Sequence, residues 1–194
     1  MNIRLVKTSD AGFKALMAKI LGRRASRAGG VEKRVAAIVT AVQRQGDRAL
    51  VRYTRRFDRV SISAATLEVK GEEIRQAVAR VSNQDWSMLR LAAKRIAAFH
   101  RHQLTKSWQY RDPVGMWLGQ RITALERVGV YVPGGKACYP STVLMNAIPA
   151  RIAGVKEIIM TSPIGGDGGI LLAAAQLAGI ERVFRVGGAQ AIAA

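Results

Sequence analysis

Acidic residues are scarce in this sequence. Thirteen aspartates and glutamates stand against 31 lysines and arginines, a formal charge of +18 over 194 residues. Cysteine is nearly absent as well. A lone Cys138 excludes a disulfide within the chain and fits a reducing compartment. There are only two histidines, His100 and His102. Two residues apart on a helix they point to different faces, so they make no metal-binding pair, and their role reads as solvent contact at a helix end. No HxxxH, CxxC or carboxylate pair of metal-site spacing occurs, so no catalytic and no metal-ligating residue is assigned within this chain. Long apolar runs are missing too. The longest weakly polar stretch, Gly168 to Ile180, carries Gln176 and falls short of the ~20 residues a membrane helix needs. The start, MNIRLVKTSD, has no apolar segment of the signal-peptide kind. The expectation is a soluble, cytoplasmic protein without a membrane partner.

The positive charge is unevenly placed. Residues 1–112 hold 24 of the 31 basic side chains and 9 of the 13 acidic ones. Such a surface attracts polyanions. The charges are nevertheless spread along several amphipathic segments with no aromatic-plus-basic recognition motif, so the reading is a solvated helical surface, and a nucleic-acid partner is not expected. With 49% hydrophobic residues the chain can bury a core of one domain or two small ones.

Periodicity predicts mostly helices in the first half. Phe13, Leu16, Met17, Ile20 and Leu21 mark a helix over 10–21, stopped by Gly22; Arg23, Arg24 and Arg27 follow in a polar link. A second helix starts near Val31, carries Val35, Ile38, Val39 and Val42, and ends at Gly46. Asp47 is placed to cap a third, reaching Phe57. Thr66 to Val69 suits a short strand. Gly71-Glu72-Glu73 opens a helix with carboxylates in its first turn. Asn83 is placed to cap the longest helix, about Gln84 to Gln103, with Trp86, Leu89, Ala93, Ile96 and Phe99 as its buried line. Alternation of Trp108 and Tyr110 with polar residues, then Pro113, Gly115 and Met116-Trp117-Leu118, predicts a hairpin within Lys106–Ile122.

From Arg127 a strand-to-helix rhythm sets in. Strands Val128–Val132, Glu157–Thr161 and Arg182–Val186 alternate with helices Thr142–Ala153 and Ile170–Ala178, and Gly187-Gly188 opens a last helix. Three strands at near-even spacing predict a parallel sheet with right-handed crossovers. Two strand-to-helix loops stand where such sheets bind ligands. Gly134-Gly135 follows the first strand; it matches neither GxxxxGK[ST] nor GxGxxG and admits both a ligand-approach loop with positive φ and a plain tight turn. Ser141 reads as the cap of the next helix. Gly187-Gly188-Ala189-Gln190 admits both a phosphate-binding turn with Gln190 as a polar contact and a plain turn with an exposed glutamine. Cys138 has no histidine nearby and reads as an incidental loop residue.

The segments Arg127–Met160 (RVGVYVPGGKACYPSTVLMNAIPARIAGVKEIIM) and Leu172–Ala194 (LAAAQLAGIERVFRVGGAQAIAA), with GDRALVRYTRRFD (Gly46–Asp58), FHRHQ (Phe99–Gln103) and Gly119-Gln120 upstream, resemble histidinol dehydrogenase. The resemblance covers nearly the whole chain in order, and YVPGG and VGGAQAIA are specific to that family. It implies an α/β chain: an N-terminal helical region followed by part of a Rossmann-like parallel sheet with flanking helices. The implied division is an N-terminal helical arm (1–24), a helix-rich first-domain segment with a hairpin (25–126), and an incomplete NAD-binding domain (127–194). It implies an NAD- and zinc-dependent, homodimeric enzyme oxidising L-histidinol through histidinal to L-histidine, in histidine biosynthesis. By motif match, Tyr131 and Gln190 would contact NAD. The zinc ligands, the acid–base pair and most substrate contacts would lie beyond Ala194. Thr123-Ala124-Leu125 departs from the proline the family usually carries there, and +18 departs from its usual acidity.

The sequence stops inside a helical pattern, Ala189 to Ala194, with no stop signal. The expectation is an N-terminal piece of a longer protein, inactive by itself. Two other readings stay open: a basic nucleic-acid-binding protein on the same scaffold, and a degenerate remnant that still dimerises.

Overall fold

The computed structural model describes residues 5–134, 138–164 and 168–194, with the backbone alone for residues 23–29. The helices are α1 (Phe13–Gln45), α2 (Asp47–Phe57), α3 (Gly71–Ala79), α4 (Asn83–Arg101), α5 (Pro140–Ile152), α6 (Gly169–Leu177) and α7 (Gly188–Ala193). The strands are β1 (Trp108–Arg111), β2 (Trp117–Gln120), β3 (Arg127–Tyr131), β4 (Glu157–Thr161) and β5 (Arg182–Phe184).

The later half follows its sequence pattern closely. β3, β4 and β5 form a parallel sheet in that order, with Val130 opposite Met160 and Met160 opposite Val183. One face presents Val128, Val130, Ile158, Met160 and Val183 to a core shared with Val143, Leu144, Ala147 and Ile148 of α5 and Leu171 to Ala175 of α6. Burying such side chains stabilises by roughly 1.5–3 kcal/mol each, so this layer dominates the energetics. α3 and α4 cover α5 and α6 from outside through Ala77 and Leu89, with Trp86, Ala93 and Ile96 partly buried behind them. Gly154 and Gly179 end α5 and α6 at φ 94° and 75°, conformations a side chain would resist.

Several first-half expectations need correction. The two helices anticipated on either side of Gly22 are one 33-residue helix, α1, about 50 Å long. A mid-helix glycine costs only about 1 kcal/mol against alanine and creates no clash, so Gly22 and Gly30 do not stop a segment rich in alanine, lysine and arginine. The helix therefore runs across the 24/25 division. Its expected apolar stripe, with Met17, Ile20 and Leu21, stays exposed, while its second half packs Ile38, Ala41 and Val42 against α2 and α7. α1 rather than α4 is the longest helix. Asp47 does not cap α2; Gly46 stands at the cap and Asp47 lies in the first turn. The α4 cap is Ser82, whose hydroxyl accepts from the Asp85 N–H, not Asn83. Phe99 is exposed rather than part of the α4 seam. Ser141 does not cap α5, which begins with Pro140 after Tyr139.

The predicted hairpin is present, with Trp108 opposite Gln120 and Arg111 opposite Trp117. The predicted strand at Thr66–Val69 is replaced by a 3-10 turn, Ala64–Thr66, and a short extended pairing. Val69 N–H donates to the Val183 carbonyl and Arg185 N–H to that of Leu67. This antiparallel segment covers the β5 edge of the sheet. Arg182 grips Glu68 with two hydrogen bonds, 2.8 and 3.0 Å, and Arg185 reaches Glu73 at 2.7 Å.

Hydrogen bonding from Arg182 holds the Glu68 carboxyl below its ordinary value near 4.5, and Arg185 does the same for Glu73. A depressed folded-state pKa gives stability that is present above the ordinary value and lost as pH falls through the folded one. Both pairs are half exposed, so each contributes at most about 1 kcal/mol after solvent screening. Glu68→Gln is expected to lower the unfolding free energy, read from urea denaturation at neutral pH, by that amount or less, with the gap to wild type closing as pH falls below about 4.5; a gap independent of pH would show that the ion pair is not the source.

Candidate functional site

The loops leaving the carboxyl ends of β3, β4 and β5 meet above the sheet. Gly134 follows β3, Ser162-Pro163 follows β4 and Gly187-Gly188 follows β5. A Cβ on Gly134 would stand 2.6 Å from the Pro163 carbonyl oxygen and 3.2 Å from Ser162 Oγ. One on Gly187 would stand 2.8–3.0 Å from the Pro163 ring. Pro163 is thus wedged between two glycines. Gly134 has no positive φ. Its missing side chain serves close approach rather than an unusual turn. Gly135 lies outside the described residues.

Tyr131 and Gln190, the two residues anticipated as cofactor contacts, meet at Gly188. The Gly188 N–H donates to the Tyr131 hydroxyl at 3.3 Å, and the Gln190 side chain folds back so that a Gly188 Cβ would lie 2.7 Å from its Oε1. Gly188 itself has φ 66°. The reading of Gln190 as an exposed turn residue fails: it is 1% exposed. Both amide atoms are buried without a hydrogen-bond partner among the described residues. An orphaned buried amide costs about 1–3 kcal/mol per group.

Below the strand ends, the sheet face turned away from α5 and α6 carries Gly129, Tyr131, Ile159, Thr161 and Phe184. These line a mainly apolar cavity of about 540 Å³ closed by Leu50, Val186 and Ala191. Tyr131 thus has its ring against an apolar hollow and its hydroxyl at the glycine turn.

The other candidates stay apart from this rim. His100 ends α4 with Nδ1 2.5 Å from Gln103 Oε1, and His102 caps the same helix. Cys138 is exposed, and desolvation pushes its thiol up from its ordinary value, which opposes a nucleophilic role. Among the described residues no three His, Cys, Asp or Glu side chains group as a metal site, and no helix is long and apolar enough to cross a membrane. Sequence reading passed over Ser162, 0% exposed with a hydroxyl that has no partner among the described residues. The available signal was a Ser-Pro pair set immediately after a strand, where parallel sheets bind ligands.

Gly134→Ala is expected to lose roughly 1–3 kcal/mol of stability, since its Cβ meets a backbone oxygen that cannot swing aside. Gly129→Ala, with nothing within 4 Å of the added carbon, is the matched control and should change the denaturant midpoint little. Equal losses in the two variants would show that the strand-end contact is not tight.

The family model for histidinol dehydrogenase matches residues 21–194. The histidinol dehydrogenase of Syntrophotalea carbinolica is 52% identical over 194 residues, covering 99% of this chain and 45% of that protein. The enzyme of the same name from Geobacter sulfurreducens is 47% identical over 99% of the chain and 46% of its own length. Among solved structures, the crystal structure of histidinol dehydrogenase from Elizabethkingia anophelis superposes with a TM-score of 0.77 at 32% identity, covering 84% of this chain and 38% of the other. The chain thus spans about 45% of the length of these curated relatives. With the glycine-lined strand ends, the Tyr131–Gly188–Gln190 junction and these matches taken together, the chain belongs to the histidinol dehydrogenase family.

Proposed function

We propose that this chain supplies the dinucleotide-holding part of an NAD-dependent enzyme that oxidises L-histidinol through histidinal to L-histidine. The observation that carries this reading is the Gln190 amide, buried and without a partner among the described residues at the Gly188 turn, whose N–H donates to the Tyr131 hydroxyl. NAD, when bound, supplies the hydride acceptor. The residues here bind and orient. Gln190 offers an NH₂ donor and a carbonyl acceptor from a single planar group, which matches the amides and hydroxyls of a dinucleotide. Because the Gly188 N–H donates to the phenol oxygen of Tyr131, the phenol hydrogen remains available for a ligand. The cavity against which the Tyr131 ring stands is mainly apolar.

Zinc does not fit the described residues, which group no donor set for it. On the same reading the full-length enzyme would hold zinc, work as a homodimer in the cytoplasm and use the residues from 127 onward as its dinucleotide-binding unit. The acid–base chemistry belongs, on this reading, to a chain longer than the residues in hand.

The purified chain is expected to bind NAD in titration calorimetry, with Gln190→Ala weakening it roughly tenfold or more and Tyr131→Phe less. Without a zinc donor set, it should yield no NADH from histidinol. NAD affinity indifferent to Gln190→Ala would remove the basis for the assignment, and histidinol-dependent NADH formation would show a catalytic centre this reading does not contain.

A further inference from the structure

The cavity beside Tyr131 has two features that the Tyr131–Gln190 junction leaves unused. The first is Gly129, in the middle of β3 and opposite Ile159 on β4. A Cβ there would meet nothing within 4 Å, and its φ is not positive, so no turn calls for a glycine at this position. A glycine inside a strand with open space above it marks a place where a ligand or another backbone approaches closely. Gly129 is exposed, and Ile159 and Phe184 beside it are only partly covered, so the floor of the cavity can be reached from solvent. Its volume, about 540 Å³, is that of a small-molecule site, roughly 300–1,000 Å³.

The second feature is Asp47, an exposed carboxylate in the first turn of α2 that borders the same cavity. Elsewhere Glu68, Glu73 and Glu157 each hold an arginine, while Asp85 and Asp112 hold the Ser82 hydroxyl and the Met116 N–H. Asp47 has no hydrogen-bond or ion-pair partner among the described residues. A carboxylate in a first helical turn favours the helix dipole, but any solvent-facing direction would serve that role. An apolar hollow with the Tyr131 and Phe184 rings and a free carboxylate at its edge suits a flat heteroaromatic ring joined to a sugar. Dinucleotide-binding sheets use a carboxylate to accept a hydrogen bond from the ribose 2′-hydroxyl. The strand ends here offer none, since β3, β4 and β5 run into Val132-Pro133, Ser162-Pro163 and Arg185-Val186. We infer that the adenosine end of the dinucleotide lies over Gly129, and that Asp47 selects NAD against NADP by accepting from the ribose 2′-hydroxyl. This rests on the NAD reading and adds the discrimination between the two cofactors. A 2′-phosphate at that point would face the negative charge of Asp47. Without a local carboxylate, the +18 charge of the chain would favour the more anionic NADP.

Titration calorimetry of wild type, Asp47→Asn, Gly129→Val and Gln190→Ala with NAD and with NADP, alongside melting curves of the free proteins, tests this. The wild-type chain is expected to bind NAD at least roughly tenfold more tightly than NADP. Asp47→Asn keeps a hydrogen-bonding group but removes the charge, so NAD should weaken slightly, NADP should strengthen, and their ratio should fall roughly tenfold. Gly129→Val fills the hollow and should weaken both ligands alike, while melting no lower than wild type because a β-branched residue suits a strand. If that variant melts well below wild type, Ile159→Phe, which fills the hollow from the neighbouring strand, takes its place. Equal wild-type affinities for NAD and NADP overturn the selection by Asp47. A ratio unchanged in Asp47→Asn, with Gln190→Ala still weakening NAD, does the same and leaves the NAD reading standing. NAD affinity untouched by filling the hollow overturns the placement of the adenosine. A folded wild-type chain that binds neither dinucleotide removes the NAD reading and this inference together.

Discussion

Everything at the candidate site depends on how closely three strand ends can approach. Pro163, leaving the middle strand, is gripped between Gly134 and Gly187, each of which would collide with it if it carried a single methyl group. A parallel sheet spaces its strands about 4.8 Å apart, so loops that turn inward over its end have little room. Glycine on both sides and the rigid proline ring between them bring backbone, the Ser162 hydroxyl and the Gly188 turn into one rim. The polar groups need only be carried there by the strands.

The rim shows a division of labour between stability and function. The sheet face toward α5 and α6 is aliphatic, close-packed and satisfied. At the strand ends two polar side chains, Gln190 and Ser162, are buried without partners among the described residues. Such groups destabilise the fold by an amount that the aliphatic layer must outweigh. Fully exposed, the same groups would lose little on folding.

The basic charge tells a quieter story. The most elaborate ion pairs, Glu68–Arg182 and Glu73–Arg185, tie the first half of the chain to the edge strand β5. They reinforce main-chain pairing at Leu67–Val69 that already covers this edge. Several other arginines rest on aromatic rings, as Arg52 does on Tyr53 and Arg90 on Trp86. The excess cations thus decorate helices whose inner faces do the packing, in keeping with a solvated surface.

Legibility in the sequence followed the range of the interactions. β3, β4, β5, α5 and α6 were readable because aliphatic runs broken by glycine are local signals, and Gly154 and Gly179 end their helices by backbone conformation alone. The family motifs singled out Tyr131 and Gln190 for the same reason: short, contiguous strings. The joining of two expected helices into α1 was not readable, because a glycine penalty of about 1 kcal/mol is too small to decide a helix end by itself. Capping by Ser82 rather than Asn83, one residue away, turned on φ and ψ that either sequence position permits. The burial of Gln190, the wedge at Pro163 and the isolation of the Ser162 hydroxyl were decided by tertiary structure alone. Each depends on residues dozens of positions apart meeting within about 3 Å, and no local pattern records a distance across a fold.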